Sequence, residues 1–195
     1  MEFSLSSEQE MLIESARAFA ENELYPHEEE VEQSDSVSPE LAQKIRDRAI
    51  EMGFYAANMP EDLGGGGLDC VSLSLVEREL GRANFALQYL VGRPSNILQA
   101  CVGQQRDHYL FPCIRGEKTD CLAMTEPGAG SDLRSMQCRA DVDGSDYVIN
   151  GTKHFISHAD IADFVILFAA TGEEESARGP RKLISAFLVD KGTPG

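Results

Sequence analysis

Tryptophan is absent from the chain, basic residues are scarce, and no apolar run is long enough to cross a bilayer. The longest apolar stretches, such as 164–170, fall far short of the roughly 20 residues a membrane helix requires, and no basic segment leading into an apolar one opens the chain. A soluble protein without membrane insertion or a secretory leader is therefore expected. Lysine and arginine number 17 against 33 aspartates and glutamates, a formal net charge of −16. That field repels a phosphate backbone and argues against nucleic-acid binding. A phosphate-bearing cofactor stays admissible, because a few backbone N–H groups can hold phosphate locally. There is no C-x-x-C pair, and the five cysteines, Cys70, Cys101, Cys113, Cys121 and Cys138, are odd in number and scattered. They read as small buried hydrophobes in a reducing, cytoplasmic compartment.

What is present suffices for a core: 42% of the 195 residues are hydrophobic and 26% are charged. Ser7-Glu8-Gln9-Glu10 has the form of a capping box and opens a helix with Leu12, Ala16, Phe19 and Leu24 on its apolar face, ended by Pro26. Ser38-Pro39 opens a second, in which Leu41, Ile45, Ala49 and Met52 recur at helical spacing and Gly53 supplies the stop. Residues 60–67 form a turn-rich loop. Its glycines, Gly64 to Gly67, lack the lysine of a phosphate loop and read as a flexible connection. Leu73, Val76 and Leu80 mark a third helix, with Glu77, Arg78 and Glu79 among its polar positions. Two more are expected between Phe85 and Arg115, broken near Gly92-Arg93-Pro94 and Gly103.

Past Thr119 the hydrophobic period changes to two. Residues 136–142 alternate, and Tyr147-Val148-Ile149 and Thr152-Lys153-His154 flank Asn150-Gly151, a strong hairpin signal because both turn residues need positive φ. Phe164 to Ala169 and Leu183 to Val189 are further strands, with the charged segment 172–182 between them as an exposed loop. The runs Glu28-Glu29-Glu30 and Glu173-Glu174-Glu175 read as solvated charge.

Thr125-Glu126-Pro127-Gly128-Ala129-Gly130-Ser131-Asp132 joins two such β segments. Its glycines admit a ligand close to the backbone, and its hydroxyls can donate to phosphate or carbonyl oxygens. On chemistry alone, a ligand-binding turn and a plain β-turn with satisfied hydroxyls both fit. Leu133 sits where a dinucleotide fingerprint needs its third glycine, and Gly-Lys-Ser/Thr is absent, so neither nucleotide motif applies. His154 and His158, with Asp160 nearby, would suit a metal only on a helix. At a strand end they read as surface or hydrogen-bonded histidines, and no metal is expected.

Residues 124–132, Met-Thr-Glu-Pro-Gly-Ala-Gly-Ser-Asp, followed at 147–153 by Tyr-Val-Ile-Asn-Gly-Thr-Lys, resemble the signature of the acyl-CoA dehydrogenase family. Segments 60–65, 76–81 and 187–195 resemble family segments in the family's order, so the likeness covers the whole chain. The fold this implies is α+β and multidomain. An all-α N-terminal helical domain, 1–119, would precede part of a flavin-facing middle domain, 120–195, an incomplete antiparallel β-barrel-like domain. The resemblance implies FAD, held by Leu122, Ala123, Met124, Thr125, Gly130 and Ser131 and by Phe155, Ile156 and Ser157. Thr125 would donate to the pyrimidine edge of the flavin, where negative charge develops on reduction. Ser131 would lie near the pyrophosphate and the acyl-CoA substrate, Phe155 would pack on the ring system, and Ser157 would reach its N5 side. Leu122 replaces a frequent aromatic, Phe155 the commoner tryptophan and His154 a frequent methionine, which alters the packing around the ring.

The activity implied is FAD-dependent α,β-dehydrogenation of an acyl-CoA thioester to the trans-2-enoyl-CoA, a reaction of fatty acid metabolism. A carboxylate takes the α-proton while the β-hydrogen leaves as hydride. The electrons pass to an electron-transferring flavoprotein, and the family assembles as a homotetramer. The family's glutamate base belongs to a C-terminal helical bundle expected beyond residue 195, so no catalytic residue is assigned within this chain, and the chain alone is expected to be inactive and to hold FAD weakly or not at all. The alternatives are a flavin-dependent monooxygenase or oxidase on the same fold, and a non-catalytic truncated remnant.

Overall fold

The computed structural model describes residues 4–92, 94–176 and 179–195. The chain divides into two compact units, Met1–Glu117 and Lys118–Gly195. The first is helical: α1 (Ser7–Phe19), α2 (Glu28–Ser34), α3 (Pro39–Glu51), α4 (Cys70–Leu80) and the short α5 (Phe85–Gln88) and α6 (Phe111–Ile114). Its capping box is built one residue earlier than expected. Ser6 is the extended residue; its Oγ accepts from the Gln9 N–H at 3.2 Å, and Gln9 Oε1 accepts from the Ser6 N–H at 3.1 Å.

Pro26 does not end the helical path. A π turn at Ala20–Leu24 and a 3-10 turn at Tyr25–His27 accommodate the missing proline N–H and lead into α2. Ser38 caps α3 through the Leu41 N–H at 3.2 Å, and Asp69 caps α4 through the Ser72 N–H at 2.7 Å. Ala16, Phe19, Leu24, Ile45, Ala49, Val76 and Leu80 form one buried cluster, where Phe19 meets Phe54 edge-on with ring centroids 5.5 Å apart.

Three further expectations are corrected in this unit. The two helices expected between Phe85 and Arg115 are replaced by shorter pieces: α5, 3-10 turns at Tyr89–Val91 and Asn96–Ala100, and a π turn at Arg106–Leu110 that runs into α6. Gly92 (φ +81°) and Gly103 (φ +52°) break the path, while Arg93 lies outside the described residues. Second, the glycine loop is neither a loose connection nor a phosphate cradle. The amides of Gly64, Gly65, Gly66 and Gly67 donate to carbonyls of Glu61, Pro60, Ala56 and Met59 at 2.8–3.1 Å. A Cβ on Gly65 would lie 2.3 Å from the Met59 carbonyl oxygen, so glycine is needed because the loop folds back onto its own backbone. Third, Glu79 is buried, and its carboxylate accepts from Arg17, Arg78 and Arg82.

The second unit is a sheet of β1 (Asp120–Ala123), β2 (Arg139–Asp143), β3 (Asp146–Asn150), β4 (Phe164–Ser176) and β5 (Gly179–Asp190). The pairs β2–β3 and β4–β5 are antiparallel, whereas β1 runs parallel to β4, and β2 meets β4 in parallel at Arg139 and Ala170. The sheet is open, as the expected incomplete barrel-like domain requires, but it is mixed rather than wholly antiparallel, because β1 and β2 each meet β4 in parallel. The β2–β3 hairpin lies within the connection from β1 to β4, which lets those strands run in the same direction. Met136, Cys138 and Ala140 are buried and alternate with exposed Gln137, Arg139 and Asp141, as the period of two requires.

The hairpin turn falls at Gly144-Ser145, where Asp143 pairs with Asp146 and Gly144 has φ +63°. Asn150-Gly151, expected to be that turn, instead ends β3. The charged segment 172–182 is not a loop over its described residues. β4 and β5 stay paired through it, with Glu173 opposite Lys182 and Glu174 ion-paired to Arg181. Opposite charges facing across a ladder support it while their heads remain in water. Ala177 and Arg178 lie outside the described residues. All five cysteines are free; Cys70 is exposed and the other four are buried. Among the described residues, no helix is long and apolar enough to cross a membrane.

Candidate functional site

β1 carries Leu122, Ala123 and, just past its end, Met124 and Thr125. Parallel pairing with 164–167 of β4 fixes this strand and alternates its side chains: Cys121 and Ala123 are buried, while Leu122 is 41% exposed. A tight turn follows, closed by Glu126 N–H to Ala129 O at 2.8 Å and Ala129 N–H to Glu126 O at 3.2 Å. Gly130 and Ser131 leave that turn exposed, and Asp132 caps a 3-10 turn at Leu133–Ser135 by accepting from the Arg134 N–H at 3.1 Å. Hydrogen bonds from Ser135 and Arg134 hold the Asp132 carboxyl below its usual range.

The segment after β3 returns to this turn. The His154 N–H donates to the Thr125 carbonyl at 2.9 Å, and Lys153 Nζ donates to the Met124 carbonyl at 3.1 Å. The fold thus brings Met124 and Thr125 beside the residues leading into Phe155. Gly130-Ser131 and Ile156-Ser157 flank the junction along the chain, and among the described residues no hydrogen bond joins these two pairs across it.

Lys153 also reaches Glu126 Oε1 at 2.8 Å, and the same carboxylate accepts from the Gln137 N–H at 2.6 Å and the Cys138 N–H at 3.0 Å. Burial by itself pushes the Glu126 carboxyl up. The Lys153 ammonium and the two amides outweigh it, and the group is held below its usual range. Sequence reasoning assigned neither Glu126 nor Lys153 a role.

Two features mark the junction as a place where a ligand fits. Phe155 is 82% exposed and has φ +57°, a left-handed conformation that is costly for a bulky side chain. His158, three residues on, has φ +63°. The Phe155 ring stacks on His154, with centroids 3.8 Å apart and planes 19° from parallel. Gly128 and Gly130 are the second feature: neither has a left-handed φ, and a Cβ on either would meet nothing within 4 Å. The protein's own packing does not require glycine at those positions. Their bareness leaves backbone open to an outside group.

Burial pushes the Cys101, Cys121 and Cys138 thiols up, so none is a poised thiolate. Among the described residues, no cluster of His, Cys, Asp or Glu could hold a metal ion. The helical unit contains a cavity of about 400 Å³ lined by Phe54, Val76, Leu80, Phe85 and Tyr89, into which Asn58 also contributes; Asn58 Oδ1 is buried without a hydrogen-bond partner.

The model of the acyl-CoA dehydrogenase N-terminal domain matches residues 6–117, and that of the acyl-CoA dehydrogenase middle domain matches residues 121–195. A 3-(aryl)acrylate reductase of Clostridium sporogenes is 34% identical over 97% of this chain and 50% of its own length. The mitochondrial long-chain specific acyl-CoA dehydrogenase of Sus scrofa is 37% identical over 97% of this chain and 44% of its own. The FAD complex of PigA superposes with a TM-score of 0.82 at 31% identity, covering 100% of this chain and 51% of that one. The chain therefore spans about half the length of the relatives it matches.

Proposed function

The chain belongs to the acyl-CoA dehydrogenase family, and on that premise we propose that it holds FAD and serves the α,β-dehydrogenation of an acyl-CoA thioester to the trans-2-enoyl-CoA. The observation that carries this reading is the exposed, left-handed Phe155 seated beside a turn whose Gly128 and Gly130 are bare for no internal reason. Bound FAD supplies the hydride acceptor. The chain's residues hold and orient it. Leu122, Ala123 and Met124 form the strand wall, Thr125 offers its hydroxyl to the pyrimidine edge, and Gly130 and Ser131 admit the pyrophosphate. Phe155 would pack on the ring system beside Ile156, and Ser157 would reach its N5 side. Ser131 also faces the acyl-CoA.

Neither buried carboxylate among the described residues is free to take a proton. Glu79 and Glu126 are both saturated with donors and held below the usual range. The base is therefore assigned to no residue of this chain. An electron-transferring flavoprotein is proposed as the acceptor and a homo-oligomer as the assembly, both following from the family.

Titrating FAD with the chain and following flavin fluorescence tests the cofactor assignment. Saturable quenching is expected, weak and in the range of about 10 µM to 1 mM. No quenching by about 1 mM removes the reading. Gly130→Val fills the open space above the backbone and should weaken FAD about tenfold. Because nothing lies within 4 Å of that Cβ, the melting temperature should stay within about 2 °C of wild type. Unchanged affinity in Gly130→Val would remove Gly130 from the site.

A further inference from the structure

Three separate pieces of chain meet at one buried ion pair. Lys153 and Glu126 have side chains only 8% and 3% exposed, and their Nζ–Oε1 distance is 2.8 Å. Glu126 faces the start of the β2 segment, taking the Gln137 and Cys138 amides; Lys153 faces the end of β1, donating to the Met124 carbonyl. The adjoining backbone bond, His154 N–H to Thr125 O at 2.9 Å, is the one that places Thr125 against the approach to Phe155. Burying a charged pair of this kind adds little net stability over an apolar pair of similar volume. Its value lies in geometry: a fully satisfied polar network admits one arrangement of its members, where apolar packing tolerates several.

We propose that Lys153 and Glu126 are positioning residues for the flavin: their ion pair locks the Met124–Thr125 strand end to the segment entering Phe155, and so sets where the Thr125 hydroxyl and the Phe155 ring stand. Neither residue touches the cofactor in this role; they act through the backbone of residues 124, 125 and 154. The proposal rests on the FAD reading for its consequence, but not for its mechanical part. Lys153 supplies a cation and two donated hydrogen bonds, which a methionine of nearly equal length cannot. Glu126 supplies acceptors for two amides and one ammonium, of which a glutamine retains only a single neutral oxygen.

The test separates the two layers. Hydrogen exchange on the flavin-free chain reads the lock itself: in Lys153→Met the amides of His154, Gln137 and Cys138 should exchange faster by about ten- to a hundredfold, the loss expected from one charge-assisted hydrogen bond. Lys153→Arg keeps a cation with several donors and should restore most of that protection. The FAD titration reads the consequence, with a rise in Kd of about tenfold in Lys153→Met. A purely structural role predicts that any equally destabilising change does the same. Phe187→Ala, which removes the ring packed edge-on against Tyr147 at 5.1 Å in the same unit, is the control and should leave the Kd unchanged well below its melting temperature. If Lys153→Met fails to fold, Glu126→Gln carries both measurements with the same expected signs. Unchanged exchange at His154 overturns the lock. Faster exchange with unchanged Kd overturns the positioning of flavin. Absence of FAD binding in the wild-type chain overturns the FAD reading and leaves the exchange result standing on the lock alone.

Discussion

Replacing Glu79 with leucine is expected to lower the unfolding free energy of the helical unit by about 3 kcal/mol, at the lower end of the cost of breaking a buried ion pair. Its side chain is only 4% exposed. Oε2 accepts from Arg17 Nε at 3.0 Å and Arg82 Nη1 at 3.1 Å, and Oε1 accepts from Arg78 Nε at 3.0 Å and Nη2 at 2.8 Å. Deleting the carboxylate leaves three guanidinium groups side by side. They are 45%, 58% and 50% exposed, so they can turn to water, which keeps the loss near the lower bound. Arg17 belongs to α1 and the acceptor to α4, so the cluster also fastens one helix to the other. Urea melts at constant m-value give the number, and a loss below about 1 kcal/mol would falsify the assignment of the cluster as a stabilising junction.

The same carboxylate predicts a pH dependence. Hydrogen bonding from Arg17 leads the causes that hold it at about 2, from an ordinary value of 4.5, against a smaller upward push from burial. A folded-state value below the unfolded one means that this stability is fully present above about pH 4.5 and disappears as pH falls toward 2. The wild-type chain should therefore lose more stability across that window than Glu79→Gln does. Parallel slopes for the two proteins between pH 4.5 and 2 would contradict it.

How much of this was legible depends on whether a feature leaves a local trace. Helices α3 and α4 and the alternation from Met136 to Asp141 follow from period and capping, which adjacent residues determine. Ser6 and Ser7 both fit the capping-box pattern, with Gln9 and Glu10 as their respective partners, and only the extended backbone of Ser6 chooses between them. Charge misled at 172–182, because glutamates whose heads reach water still pair their backbones in a strand. Glu79 read as a polar helix position because its arginines come partly from another helix. Glu126 and Lys153 escaped for the same reason: they stand 27 residues apart, and a single buried pair has no period. The segments proposed to hold flavin were singled out through family resemblance, whereas the strain at Phe155 is visible only in its φ.

Gly151 shows a residue whose importance is readable and whose reason is not, and Gly151→Ala is expected to destabilise the β-unit by roughly 3 kcal/mol, a severe case of overpacking. The turn expected at Asn150-Gly151 lies at Gly144-Ser145, yet Gly151 still has φ +155°, a conformation that L side chains rarely adopt. In addition, a Cβ on Gly151 would sit 2.6 Å from Cys138 Cα, 2.7 Å from its Cβ and 2.8 Å from its Sγ. Cys138 has nowhere to retreat: its N–H is held by Glu126 at 3.0 Å and its carbonyl accepts from the Ala170 N–H at 2.8 Å. Relief has to come from moving residues 151–155 outward, which strains Lys153 to Glu126 and His154 to Thr125 and disturbs the junction proposed to hold flavin. Gly144→Ala is the matched comparison. Gly144 has φ +63° with nothing within 4 Å of its would-be Cβ, so its substitution carries only the left-handed backbone cost of about 1 kcal/mol. Denaturant melts of both variants, with hydrogen exchange at His154, distinguish the two reasons for glycine. If Gly151→Ala proves as mild as Gly144→Ala and leaves the His154 amide protected, close approach to Cys138 is not what position 151 requires.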